Sequence, residues 1–337
     1  MNIAIHHREG SFSDHWINYC KRYNIPYKIV NCYDSNIIQQ LKGCDGLMWH
    51  WPQWDSKSIL FARQLTYSLE QAGKKVFPDS LTCWHFDDKL GQKYLFEALG
   101  INSIPTWIFY DKSTAIKWIK NTEFPKVFKL RGGASSENVI LVRTKAHANK
   151  LIKKAFRRGF NISNQRNIFY DRISKFKKDR SLENLIHVTK GIIRMFIKKY
   201  DERMRCRDKG YIYFQDFVSG NNSDIRLVIV GNKCFGILRY FRKNDFRASG
   251  SGIKDYNHKL ISIDCVKAAF DTAKLLKMQS VAFDFILQNN QYKLIEVSYA
   301  FVSYNFPGYW DSNLKWHDGQ ICPQTAMIKD FIDQIKM

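Results

Sequence analysis

Two carboxylates near the C-terminal end stand where apolar residues would be expected. The run YKLIEVSYAF, 292–301, reads as a buried strand interrupted by Glu296, and VAFDFIL, 281–287, repeats the pattern around Asp284. Strand side chains alternate, so Leu294, Glu296 and Ser298 share one face and Ile295 and Val297 the other. In the preceding run Ala282, Asp284 and Ile286 share a face, with Phe283 and Phe285 opposite. The intervening QNN reads as a turn. A three-residue loop at 289–291 sets Asp284 directly across from Glu296, whereas a two-residue Asn-Asn loop pairs 284 with 295. Carboxylates opposed across a hairpin repel unless a cation lies between them, and Mg²⁺ is the hard, oxygen-seeking ion that suits them. The plainer alternative is an exposed hairpin whose acids face solvent.

A second candidate lies at KVFKLRGGASSENVILV, 126–142, laid out as strand, small-residue loop and strand. Such a loop lets backbone N–H groups approach phosphate oxygens, and Lys129 on the flanking strand adds a fixed positive charge. No G-K-S/T closes it, so it is not a Walker loop, and small-residue hairpins are common in any case.

These residues need elements to hold them. From 1 to about 85 strand and helix patterns alternate: NIAIHH, a helix from near Ser13, PYKIVNC, SNIIQQLKG, GLMWHW, SILFARQLTYSLEQAG and KKVFPD. This predicts a small parallel α/β unit whose ligands gather at the carboxyl ends of the strands, where His6, His7, Arg8, His50 and Trp51 fall. No G-x-G-x-x-G follows the first strand, which argues against the usual dinucleotide site. Then come helix DDKLGQKYLFEALG with Gly100 beyond its end, INSIPTW leading into a strand, helix STAIKWIKN and strand KVFKLR. A mainly helical basic stretch follows, then strands YIYFQDFV, DIRLVIVGN and KCFGILRYF, and helix ISIDCVKAAFDTAKLLK before the carboxylate hairpin.

The 337 residues, 45% hydrophobic, suffice for two or three domains. No stretch approaches ~20 uninterrupted apolar residues and MNIAIHHREG lacks the apolar block of a signal peptide, so a soluble cytoplasmic protein is expected. The eight cysteines are scattered without a C-x-x-C pair, signalling neither a zinc cluster nor a disulfide framework. Charge is uneven: residues 150–209 hold 19 basic and 6 acidic residues, +13 of the net +22. Such a patch implies an anionic partner, whether nucleic acid, a membrane surface or an acidic or phosphorylated substrate, unless it is merely a solvated helix surface.

Taken in order, FDDKLGQKYLFEALGINSIPTW, KVFKLRGGASSENVILV, YIYFQDFVSGNNSDIRLVIVGNKCFGILRYFRKNDFRASGSG and VAFDFILQNNQYKLIEVSY resemble the ATP-grasp superfamily, carboxylate-amine ligase type. The resemblance spans about 85 to 300. It implies an α/β (α+β) ATP-grasp fold: a Rossmann-like pre-ATP-grasp domain at 1–85, a small lid subdomain at 86–214 with a basic helical insertion at about 145–209, and a C-terminal subdomain at 215–337. It further implies ATP held with Mg²⁺ between the subdomains. Lys89 and Lys129 look like the two phosphate-contacting lysines, with Ser135 and Ser136 in the phosphate loop. Asp216, Phe217 and Val218 look like the adenine hinge, and Asp224 falls near the ribose. Arg239 resembles the arginine that stabilises the transferring phosphoryl group, and Arg247 the arginine of D-F-R. Asp284 and Glu296 match the metal ligands. Ser298 stands where the family usually has Asn, and Ala248-Ser249-Gly250 replaces the Asn that usually follows D-F-R.

The implied reaction transfers the γ-phosphoryl group of ATP to a carboxylate, and an amine then attacks the acyl phosphate to give an amide. Activation is needed because a carboxylate is a poor electrophile, and spread cationic charge is the protein's main contribution. The tail at 298–319, with Tyr299, Phe301, Tyr304, Phe306, Tyr309, Trp310 and Trp316, reads either as a second hydrophobic cluster or as rings that stack on a sugar. Together with MWHWPQWD it resembles ATP-grasp proteins of bacterial surface-polysaccharide synthesis, implying an amine joined to a uronic acid and an anionic, membrane-associated glycan against the basic stretch. A peptide- or protein-modifying amino-acid ligase, a small-molecule kinase and a nucleic-acid-binding protein are the alternatives, the last the least favoured.

Overall fold

The structure, a computed structural model, describes residues 1–133, 138–161, 173, 180–181, 186, 188–189, 207–242, 245–247, 252–302 and 305–337. Most of the expected basic insertion therefore lies outside the described residues, as do Ser135, Ser136, Tyr304 and Ala248-Ser249-Gly250.

The N-terminal alternation folds as expected. Strands β1 (Ile3–His6), β2 (Tyr27–Val30), β3 (Gly46–Trp49) and β4 (Lys75–Phe77) form one parallel sheet in the order β2-β1-β3-β4. Helices α1 (Phe12–Arg22), α2 (Ile37–Gln40) and α3 (Ser56–Gln71) connect them. Ser11 and Asp55 start α1 and α3 by accepting from the N–H of Ser13 and Lys57, satisfying donors the first turn leaves open. After the short α4 (Ser80–Cys83), α5 (Lys89–Ala98) is capped by Asp88, which accepts from Gly91 N–H at 3.0 Å. That cap fixes Lys89 as the first residue of α5. Gly100 beyond its end has φ +64°, a left-handed conformation that costs glycine little.

A second sheet, antiparallel, is ordered β5 (Thr106–Phe109), β8 (Ile212–Asp216), β6 (Lys126–Lys129), β7 (Ile140–Val142). Helices α6 (Lys112–Asn121) and α7 (Lys145–Ala155) cover it, burying Ala115, Ile119, Ala148 and Ile152 against Phe128 and Phe214.

The third sheet runs β13 (Gln291–Ser298), β12 (Ser280–Gln288), β9 (Ser223–Val230), β10 (Lys233–Tyr240), β14 (Phe306–Asp311), β15 (Trp316–Ile321), with β11 (Lys254–Asp255) beside β10. It is buried on both faces, which is why LVIV in β9 shows no polar alternation. Leu227 and Ile229 join a core with Cys265 and Ala269 of α8 (Ile263–Leu276). Val228 and Val230 pack with Met327 and Phe331 of α9 (Pro323–Lys336) and with Trp16 of α1.

The aromatic runs at 48–55 and 298–310 are mostly core, the first of the two readings. Trp49, Trp51, Tyr299, Phe306 and Trp310 are buried. Tyr299 joins the first sheet to the third: its hydroxyl donates to the Trp51 carbonyl at 2.9 Å and its ring meets Trp51 and Phe86 at 5.4 and 4.5 Å.

Candidate active site

The carboxylate hairpin pairs as required for chemistry, by a different route from a longer loop. Gln288 faces Gln291 around a two-residue turn in which Asn289 and Asn290 both have positive φ, 50° and 57°. That turn alone would set Asp284 opposite Ile295. A β-bulge between Asp284 and Phe285 adds one residue on β13 and restores Asp284 opposite Glu296. The bulge also changes the faces: Leu294 and Val297 enter the core, while Ile295 turns with Glu296 toward a cleft.

Asp284 belongs to a row of cross-strand charges. Arg226, directly opposite on β9, donates to it at 2.7 and 2.9 Å, and Arg239 on β10 reaches it at 2.8 Å. Asp224, directly opposite Arg239, accepts from it at 2.7 and 2.6 Å. Two acids and two arginines thus neutralise each other in a buried network, as burial of charge requires. Burial works to raise the Asp284 carboxyl, but Arg226 and Arg239 outweigh it and hold it well below the usual range. Burial pushes the Asp224 carboxyl up, to about 6, against the pull of Arg239.

The second sheet supplies the facing wall of a cleft. Lys129, at the end of β6, is buried and makes no ion pair or hydrogen bond among the described residues. Desolvation lowers its ammonium to about 8, with Glu296 pulling the other way and Lys89 adding to the fall. Lys89 donates to the Gly133 carbonyl at 2.9 Å and stands 3.7 Å from Glu296 Oε2. Gln215, Asp216, Phe217 and Val218 complete one end at the exit of β8, and Phe246 and Arg247 cover it, Phe246 edge-on to Phe217 at 5.7 Å. Arg247 pairs with Asp245, Nη2 to Oδ2 at 2.8 Å.

Paired lysines opposite carboxylates, beside the exit of β8, line a cleft between two antiparallel sheets, and the chain resembles solved structures over most of its length. D-cycloserine synthetase DcsG shares 10% identity at a TM-score of 0.57, covering 99% of this chain and 100% of that one. D-alanine–D-alanine ligase from Bacillus anthracis, complexed with ATP, shares 12% at 0.52, covering 89% and 86%. A RimK domain ATP-grasp protein from Sphaerobacter thermophilus shares 11% at 0.52, covering 98% and 99%. A model of the RimK-like ATP-grasp domain family matches residues 182–305. The chain has the ATP-grasp fold. No curated protein sequence matches it.

Within this ATP-grasp cleft stand Lys89, Lys129, Asp216, Phe217, Val218, Asp224, Arg239, Arg247, Asp284 and Glu296. Ser135 and Ser136 fall outside the described residues. Ser298 lines an adjoining cavity and donates to the Ala300 carbonyl at 2.6 Å. Asp216 is engaged by Lys126, whose ammonium lies 4.5 Å from the Trp107 ring centroid. Sequence reading missed Arg226 and Lys126. The signal for Arg226 was in SDIR: period 2 puts it on the face of Asp224, and the β9–β12 register brings it to Asp284. Of the residues at the ends of the parallel strands, Arg8 and His50 reach the adjoining cavity. His6 is buried with Nδ1 accepting from Cys32 N–H at 3.0 Å, and Trp51 is core.

As a metal site the carboxylates are sparse. Among the described residues no group of three or more His, Cys, Asp or Glu could hold a metal ion. Mg²⁺, however, needs only one or two carboxylates when phosphate oxygens and water complete its shell. Asp284 is shared with two arginines, whereas among the described residues Glu296 has only the longer contact to Lys89, so the pair fits a nucleotide-borne Mg²⁺ and not a self-sufficient protein cage.

Proposed function

We propose that the protein is an ATP-dependent carboxylate–amine ligase that activates an acid as its acyl phosphate. The observation that carries this reading is Lys129: a buried ammonium that makes no ion pair among the described residues and faces Glu296 and Asp284 across the cleft. Burying such a charge is unfavourable unless an anion completes it, and a triphosphate is the anion that both walls together can hold.

On this reading Lys89 and Lys129 bind the phosphates from the second sheet. Arg239, already oriented by Asp224 and Asp284, aims fixed positive charge at the transferring group. Phe217 and Val218 at the β8 exit take the adenine. Asp284 and Glu296 would hold Mg²⁺, whose contribution when bound is to neutralise charge on the phosphate oxygens. The described parts of the 126–142 hairpin border the cleft through Val127, Lys129, Gly133 and Val139 and would exclude water from a hydrolysable acyl phosphate.

The acid is narrower than the reaction class. Most rings of the tail are core, so sugar stacking there has little surface to use; Trp54, 57% exposed, is an exposed ring among those that border the adjoining cavity. A uronic acid of a surface glycan is the finer form of the proposal and rests on that ring together with Arg8. Among the described residues no helix is long and apolar enough to cross a membrane.

Incubation with Mg-ATP, hydroxylamine and a panel of uronic and amino acids tests the reaction. Trapped hydroxamate with matching ADP release is expected. A phosphorylated polyol without hydroxamate would make the protein a kinase, and tight nucleic-acid binding at physiological salt with no ADP release would remove the ligase reading altogether.

A further inference from the structure

The phosphate cleft opens at Lys89, Gly133 and Glu296 into the adjoining cavity between the first and third sheets. Its lining is unevenly charged. Lys89 has Glu296, Arg226 has Asp284, and Asp87 accepts from Gly133 N–H at 2.7 Å. Arg8 has no such partner. Its guanidinium lies 5.4 Å from the Trp54 ring centroid, its Nε is buried without a hydrogen-bond acceptor, and it makes no ion pair among the described residues.

The Arg8 segment is nonetheless well anchored. Its N–H donates to Ser13 Oγ at 3.1 Å, while its carbonyl accepts from Ser13 Oγ and Ser11 N–H, both at 3.2 Å. The guanidinium is therefore presented from a fixed backbone at the carboxyl end of β1, the end of a parallel sheet where ligands collect. Beside it, His50 stacks on Phe12 at 3.7 Å and its Nδ1 accepts from Phe12 N–H at 3.4 Å, which leaves Nε2 as the donor of a neutral ring. Phe12, His50, Trp54 and Phe301 give this part of the cavity flat, mostly apolar walls.

We propose, on the basis of the ligase reading above, that the acid substrate carries a second carboxylate, remote from the one activated, which Arg8 clamps over the Trp54 ring. The reacting carboxyl lies at the other end, where Arg226, Lys89 and Glu296 meet the phosphate cleft. Arg226 uses Nε and Nη2 on Asp284, and its Nη1 has no partner among the described residues, so it remains to orient that carboxyl. The flat body between the two groups lies along His50 and Phe301. A planar guanidinium backed by an aromatic face suits a carboxylate, which it can receive through two parallel N–H bonds.

Matched acids test this: alkanoates against α,ω-dicarboxylates of equal length, and phenylacetate against phenylenediacetates. Affinity is read by calorimetry with a nonhydrolysable ATP analogue and Mg²⁺ present, and turnover by hydroxamate formation. The expected result is a preference of about 10- to 100-fold for dianions, the usual worth of a charge-assisted pair. That preference should vanish in Arg8→Ala and survive in part in Arg8→Lys, with affinity for the ATP analogue, whose cleft Arg8 does not line, as the control. Equal binding of monoanions and dianions by the unaltered protein, or equal weakening of both in Arg8→Ala, overturns the proposal. Dianion binding without hydroxamate or ADP would keep the Arg8 anchor and remove the ligase reading, whereas hydroxamate from monoanions as readily as dianions would do the reverse.

Discussion

Arg226 closes on Asp284 through Nε–Oδ1 and Nη2–Oδ2 bonds of 2.7 and 2.9 Å, from the position directly across the β9–β12 ladder. The pair fixes the orientation of a buried carboxylate and makes that carboxylate costly to lose. Asp284→Asn leaves Arg226 and Arg239 sharing only Asp224, an uncompensated buried charge. The expected cost is about 3–5 kcal/mol in urea unfolding at pH 7. The pH dependence has a definite sign. Because the folded pKa of Asp284 lies below its unfolded value of about 3.9, its contribution is complete above that value and is lost as pH falls through the folded one. The unaltered protein should therefore lose stability steeply below about pH 4, and Asp284→Asn should show a shallower acid limb.

At Lys129 the charged form is the one the fold disfavours, although the pH dependence has the same sign in a higher window. Its folded pKa of about 8 lies below the ordinary lysine value, so between about 8 and 10.4 the unfolded chain holds a proton that the folded one has released. Stability from this group rises with pH across that window, and at pH 7 its charge is a burden on the free protein. Lys129→Met should raise the thermal midpoint of the free protein, by about 1–3 kcal/mol of stability. The same change should weaken ATP binding about 10- to 100-fold. ATP affinity of the unaltered protein should fall as pH passes 8, while that of Lys129→Met stays flat. Thermal shift with and without nucleotide reads both effects.

Tyr299 tests how the first sheet is fastened to the third. Its hydroxyl donates to the Trp51 carbonyl at 2.9 Å and receives the Trp51 N–H at 3.3 Å, all within a buried aromatic cluster. Tyr299→Phe keeps the ring contacts but strands two buried backbone groups. A loss of about 1–3 kcal/mol is expected in chemical denaturation. If the first sheet supplies the acid-binding wall, KM for the acid should rise more than KM for ATP.

Much of this arrangement was legible because it is local. The alternation of strand and helix before residue 85, the helix DDKLGQKYLFEALG that carries Lys89, and the carboxylates of the hairpin all follow from short-range pattern. Arg226 was not legible in that way: only the pairing of β9 with β12, 58 residues away in sequence, shows that its charge belongs to Asp284. Lys126 was hidden for the same reason, since Asp216 and Trp107 reach it from other strands. The aromatic tail was ambiguous because ring density alone does not tell a core from a stacking surface, and burial decided it for Tyr299, Phe306 and Trp310.

The hairpin register is the case where the outcome agreed and the route did not. A three-residue loop was the simplest way to set Asp284 against Glu296; the chain instead uses Asn289-Asn290 and then corrects the register with a bulge at Ile295. Turn and bulge are separable by mutation. Asn290→Gly suits the positive φ of 57° better than asparagine and should stabilise by about 0.5–1 kcal/mol with activity unchanged. Deleting Ile295 removes the extra residue and leaves the turn intact, so the ladder runs on unbroken. Glu296 still falls opposite Asp284, because Phe285 keeps Leu294 and Phe283 keeps Val297 as partners, with Leu294 and Val297 in the core and both carboxylates on the cleft face. ATP-dependent turnover should therefore fall by no more than about 10-fold, roughly 1.4 kcal/mol in transition-state stabilisation, the cost of losing the Ile295 side chain from the cleft wall. Circular dichroism should still report the sheet, because β12 keeps its pairing with β9 across Ser280–Phe285. A loss of more than about 100-fold with the sheet intact would mean that the bulge, which turns Ile295 into the cleft, serves the reaction beyond setting the two carboxylates opposite each other.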